Sequence, residues 1–125
     1  MSFFDALLGN ASVVSPADAH KTFGRILAQD ETIQQAFKLF RDVFLFTNRR
    51  LILVDVQGLT GSKVEYHSIP YRAITHFSVE SAGTFDMEAE LSIWISGNPV
   101  PIQKKFNKHL DIYQLQALLA MYVCR

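Results

Sequence analysis

The chain has 125 residues, with 49% hydrophobic residues, twelve basic and twelve acidic side chains and one cysteine. That is the size and polarity of one globular domain, and it excludes a disordered chain. A formal net charge of zero lacks the Lys and Arg surplus that a dedicated nucleic-acid binder needs. A single cysteine excludes an internal disulfide and fits a reducing compartment.

The N-terminal residues Met1–Gly9 have no basic lead and only a short apolar stretch, so no signal peptide is expected. No run approaches the ~20 apolar residues of a spanning helix. The expectation is a soluble cytoplasmic protein.

In chain order, residues 1–30 are expected to form a helical extension. Phe3, Phe4, Leu7 and Leu8 make one stripe of a short helix. Ser15-Pro16 then offers an N-cap followed by proline at the first helical position. Ala19, Phe23, Ile26 and Leu27 continue at helical spacing, with Gly24 inside the helix at a cost of about 1 kcal/mol.

Residues 31–125 are expected to form the main domain. Strands are predicted near Ile33–Lys38, Asp42–Thr47, Leu51–Val56, Lys63–Ser68, Ile74–Glu80, Met87–Ile95 and Pro101–Phe106, separated by turns such as 47–50, 57–62 and 96–99. Met87, Ala89, Leu91, Ile93 and Ile95 alternate with Glu88, Glu90, Ser92 and Trp94, which puts one face on a core. Trp94 shares the outer face with two glutamates and does not look meant for water. Asp111 N-caps a final helix, with Gln114 three positions on. Its apolar face is Ile112, Leu115, Leu118, Leu119, Tyr122 and Val123. The fold class is therefore mainly β (α+β): seven antiparallel strands in a sandwich or barrel, closed by a C-terminal helix.

Phe46-Thr47-Asn48-Arg49-Arg50-Leu51-Ile52, the Asp55–Glu65 turn with Gln57, Gly58, Thr60, Gly61 and Lys63, and Ser68-Ile69-Pro70-Tyr71 resemble the bacterial pleckstrin-homology-like domains. The resemblance runs from about Glu31 to Arg125. It implies a strongly bent seven-stranded β-sandwich capped by the C-terminal helix. It also implies closed homo-oligomeric rings of side-by-side β domains, as in several family members. The lipid-headgroup site of eukaryotic relatives rests on a basic loop between the first two strands. Here that loop is Leu39-Phe40-Arg41 with Lys38 beside it, a poor phosphoinositide cradle, so that function is not carried over.

Residues with chemistry to offer are few. Arg49 and Arg50 suit phosphate or carboxylate capture, or else pair at a hairpin turn with an acid such as Asp42 or Asp55. Lys104, Lys105 and Lys108, with Arg41, Arg72 or Lys63 nearby, form either an anion-binding patch or the lysine guard of an edge strand. His67 and His76 could serve a metal-dependent hydrolase, but no ligand spacing supports it. Cys124 reads as inert filler on the last helix. Phe3, Phe4, Leu7, Leu8 and Trp94 are the candidate interface residues.

No catalytic residue, metal or cofactor is expected. The reading is a non-enzymatic scaffold whose partner is itself, joined through sheet edges near Lys63–Ser68 and Ile74–Glu80 or through the second and third strands. A membrane- or anion-binding module is the alternative; nucleic acid is not an expected partner.

Overall fold

The computed structural model describes residues 13–39, 42–58, 61–81, 88–107 and 111–125. Phe3, Phe4, Leu7, Leu8, Arg41 and Lys108 lie outside the described residues. The chain divides into two compact units, Met1–Ile69 and Pro70–Arg125.

Among its described residues the first unit is a five-stranded antiparallel sheet with one helix. Its strands are β1 (Val13–Val14), β2 (Ile33–Leu39), β3 (Asp42–Thr47), β4 (Arg50–Gln57) and β5 (Lys63–Pro70), adjacent in that order. β1 departs from the expectation that residues 1–30 are helical. Two consecutive β-branched residues favour extended backbone, and here they pair antiparallel with β2, Val13 opposite Phe37 and Val14 opposite Ala36.

Helix α1 (Pro16–Phe23) starts where the sequence indicates, with the Ser15 hydroxyl accepting from the Asp18 amide at 3.1 Å. It ends earlier than expected. Gly24–Ile26 form a 3-10 turn, so Ile26 and Leu27 leave the helix. A Cβ at Gly24 would sit 3.1 Å from His20 Nδ1, a tight approach that glycine avoids.

The register places Val43 opposite Val54 and Leu45 opposite Ile52 on one face, and Phe44 opposite Leu53 and Phe46 opposite Leu51 on the other. Both faces are buried, which is why β3 and β4 read as continuous apolar runs rather than alternating ones. Val14, Ala19 and Phe23 join Ala36, Val43, Leu45, Ile52 and Val54 in one cluster. On the opposite face Phe37 meets Phe46 edge-on, centroids 6.0 Å apart.

The second unit is a three-stranded antiparallel sheet, β6 (Ile74–Glu80), β7 (Glu88–Ile95) and β8 (Ile102–Asn107), with helix α2 (Ile112–Val123). The predicted alternation along β7 holds for Ala89, Leu91 and Ile93, which are buried; Ser92, on the other face, is buried too. After β7, Gly97 adopts a φ of +83°, which only glycine accepts readily, and the Asn98 amide closes the turn on the Ile95 carbonyl. Asp111 caps α2 as predicted, accepting from the Tyr113 and Gln114 amides at 3.0 and 3.2 Å. Leu115, Leu118, Leu119 and Tyr122 are its buried residues. Tyr122 stacks on Tyr71, centroids 4.9 Å apart.

Candidate interaction surfaces

A dense group of hydrogen bonds among the described residues of the first unit is built on the Thr47-Asn48-Arg49-Arg50 turn between β3 and β4. Antiparallel pairing of β3 with β2 brings this turn beside the start of β2, since Ile33 faces Thr47. Asn48 locks the two together: its side-chain oxygen accepts from the Thr32 amide at 2.8 Å, and its side-chain nitrogen donates to the Asp30 carbonyl at 3.1 Å.

Arg50 reaches Glu31 in a two-pronged pair, Nε to Oε2 and Nη2 to Oε1, both at 2.9 Å. Two further donors go to the Ile26 carbonyl and the Ser68 hydroxyl, each at 2.7 Å. Glu31 is only 4% exposed. It also accepts from the Thr47 hydroxyl at 2.6 Å and the Ala28 amide at 2.9 Å. The Arg50 guanidinium, helped by Thr47 and Ala28 and opposed by burial, pulls the Glu31 carboxyl down to about 2. Arg49 pairs with Asp30 at the surface, its Nε donating to Oδ1 at 3.1 Å. The Arg49 hydrogen bond holds the Asp30 carboxyl below its usual range.

Both arginines thus carry carboxylates of their own chain. The acids are Asp30 and Glu31, rather than the Asp42 or Asp55 that the sequence suggested. A signal was there: the acidic pair 30–31 precedes the basic pair 49–50 across one strand, turn and strand, and a β2–β3 hairpin brings the two pairs together.

The lysine cluster is divided by the pleat. Lys104 faces Leu91 and Lys105 faces Glu90 across the β7–β8 ladder, so consecutive lysines point to opposite faces. Lys38 is half-buried, and burial draws its ammonium below the ordinary lysine range. His67 is exposed on β5, and His76 lies on β6. Among the described residues no group of three or more His, Cys, Asp or Glu could hold a metal ion. Cys124 is exposed at the C-cap of α2, so it fills no core.

Trp94 finds its partner across the sheet. It is half-buried and stacked on His76, centroids 4.4 Å apart and planes at 15°. The Thr75 hydroxyl donates to the Trp94 carbonyl at 3.2 Å. This cross-strand stack removes enough water from the indole to explain a tryptophan on an otherwise polar face.

A family model described as "Bacterial PH domain" matches residues 2–123. The chain belongs to the bacterial PH-domain family. Its match includes the N-terminal residues, beyond the span on which the sequence resemblance rested. A pleckstrin homology domain from Shewanella amazonensis is 51% identical, covers 98% of each chain and superposes with a TM-score of 0.80. A protein with a pleckstrin-homology domain from Shewanella loihica is 49% identical over 92% of this chain and 98% of the other, TM-score 0.78. The uncharacterized Bacillus subtilis protein YjqA is 52% identical over 96% of this chain and 97% of its own. These likenesses establish the PH-like fold, and none of these names carries an enzymatic activity.

In this PH domain the sheet edges differ from one part of the expectation. β3 and β4 each have a strand on both sides, because β2 and β5 flank them in the sheet. They offer no edge, and the idea of pairing through the second and third strands is corrected. β5 and β6 are terminal strands of their sheets. β5 exposes Glu65, Tyr66, His67 and Ser68. No helix among the described residues of the PH domain is long and apolar enough to cross a membrane.

Proposed function

We propose that this PH-like domain is a non-enzymatic interaction module that assembles with copies of itself into a closed ring through its sheet edges. One observation carries the reading: β5 is an eight-residue terminal strand with most of its residues exposed. A long edge presents unpaired amides and carbonyls to any other strand, and proteins normally blunt or cover such an edge. Here the only proline of β5 is its last residue, Pro70. A ring of identical subunits covers every edge without leaving a free end. The arginines of the β3–β4 turn are engaged with Asp30 and Glu31, which favours this reading over anion capture.

Light scattering at micromolar concentration tests it. The expected mass is an integral multiple of 14.2 kDa, and a clean monomer overturns the reading. Glu65→Pro and Tyr66→Pro form a matched pair, since neighbouring amides in a strand point to opposite sides. The one whose amide points away from β4 is expected to break the assembly while circular dichroism keeps its strand signal.

A further inference from the structure

Helix α2 of the second unit has two apolar faces. Leu115, Leu118, Leu119 and Tyr122 are buried. Directly opposite them, Tyr113, Ala117, Ala120 and Cys124 recur at i, i+4, i+7 and i+11, and all four are exposed. Tyr113 is 78% exposed, and Met121 beside this line is 58% exposed. Not one residue of Ile112–Val123 carries a charge. An uncharged helix with apolar residues on two opposite faces is suited to a neighbour on each of them. The 4–3–4 spacing is that of a coiled-coil seam, and the flanking Gln114, Gln116 and Met121 offer no charge to repel a like helix.

The charges sit at the two ends. Asp111 is the N-cap, and Arg125 lies just past the C-cap, its Nε donating to the Met121 carbonyl at 3.4 Å. We infer that the outer face of α2 pairs antiparallel with α2 of a second copy of this chain. That orientation sets Asp111 of each copy near Arg125 of the other, and it opposes the helix dipoles. It also matches sizes: Tyr113 meets Cys124 of the second copy, and Ala117 meets Ala120, so the small central pair permits close approach of the backbones. Parallel pairing would put Tyr113 on Tyr113 and Asp111 on Asp111. The seam is about 18 Å long, too short to reach the roughly 600 Å² per partner at the low end of specific interfaces. The contact is therefore weak between single domains and strengthens when repeated around an oligomer. Joined to a ring, it would set two rings face to face.

Disulfide trapping reads the geometry. In the antiparallel pair the two Cys124 Cα atoms lie about 16 Å apart along the helices, beyond the ~7 Å limit for a bridge. Under mild oxidation at micromolar concentration the parent chain is expected to stay uncrosslinked. Tyr113→Cys is expected to yield a species of twice 14.2 kDa, which disappears when Cys124→Ser is added. No link with Tyr113→Cys, or an equal link in the parent, overturns the pairing. A link gained only after residues 2–12 are deleted gives the face to the Phe3, Phe4, Leu7 and Leu8 stripe and equally overturns it.

Ala117→Glu, at an exposed position, is expected to halve the mass by light scattering and to leave the circular dichroism unchanged. An unchanged oligomeric mass overturns the proposal. If the parent itself scatters as a monomer, the ring reading has failed, and the trapping experiment alone decides the helix contact.

Discussion

Glu31 is almost fully buried and ionised, a state tolerated only while Arg50, Thr47 and the Ala28 amide stay in place. Removing Arg50 leaves that charge uncompensated, so Arg50→Ala is expected to lower unfolding stability by about 3–5 kcal/mol, measured by urea titration. Arg50→Lys is expected to recover little, because an ammonium cannot reproduce the two-pronged pair and still reach Ile26 and Ser68. The same site sets an acid limit. The Glu31 carboxyl is depressed from 4.5 to about 2, so the stabilisation is complete above about pH 4.5. It is lost as pH falls from there through about 2. The contribution is on the order of 3 kcal/mol. Denaturant titrations between pH 5 and 2 are expected to show this loss in the parent and a shallower one in Glu31→Gln. An equal slope in both would remove Glu31 as the cause.

At the scale of elements, α1 is held by its cap and by the small residue beneath it. Ser15→Ala removes the side-chain bond to Asp18 and is expected to cost about 1 kcal/mol. Ala36 has no exposed surface and shares the cluster with Val14, Ala19 and Phe23. Ala36→Leu forces extra volume into that packing and is expected to cost about 1–3 kcal/mol, seen as a lower melting temperature. The strands were legible because each carries apolar periodicity between turn residues; β2 to β8 fall within two residues of their predicted limits. β1 was not legible. A two-residue strand has no period, and the pairing with β2 turns the extended preference of Val13-Val14 into a strand. The end of α1 was misplaced for a related reason. Ile26 and Leu27 keep the helical spacing while packing on the cluster from a 3-10 turn.

At the scale of the whole molecule, the zero net charge and the ion pairs of Arg49 and Arg50 bear on the choice between self-assembly and attachment to anionic surfaces. Backbone pairing at a sheet edge depends little on ionic strength, whereas contacts to anionic lipid are screened within about 10 Å at 0.1 M salt. The particle mass is therefore expected to hold from 0.05 to about 1 M salt, and co-sedimentation with vesicles is expected to be equally low with and without anionic lipid. Salt-dependent dissociation, or pelleting that tracks the anionic fraction, would favour the anion-binding reading instead.

The sequence by itself determined the strands β2 to β8, the caps of α1 and α2 and the family, because these depend on periodicity and short-range chemistry written in neighbouring residues. Only the tertiary structure decided which acids Arg49 and Arg50 hold, that Trp94 rests on His76, and which strands are left at the edges. Each of these is a meeting of residues about eighteen or more positions apart, or a matter of strand order. The chain's local pattern supplies the candidates for such meetings, and sheet register selects among them.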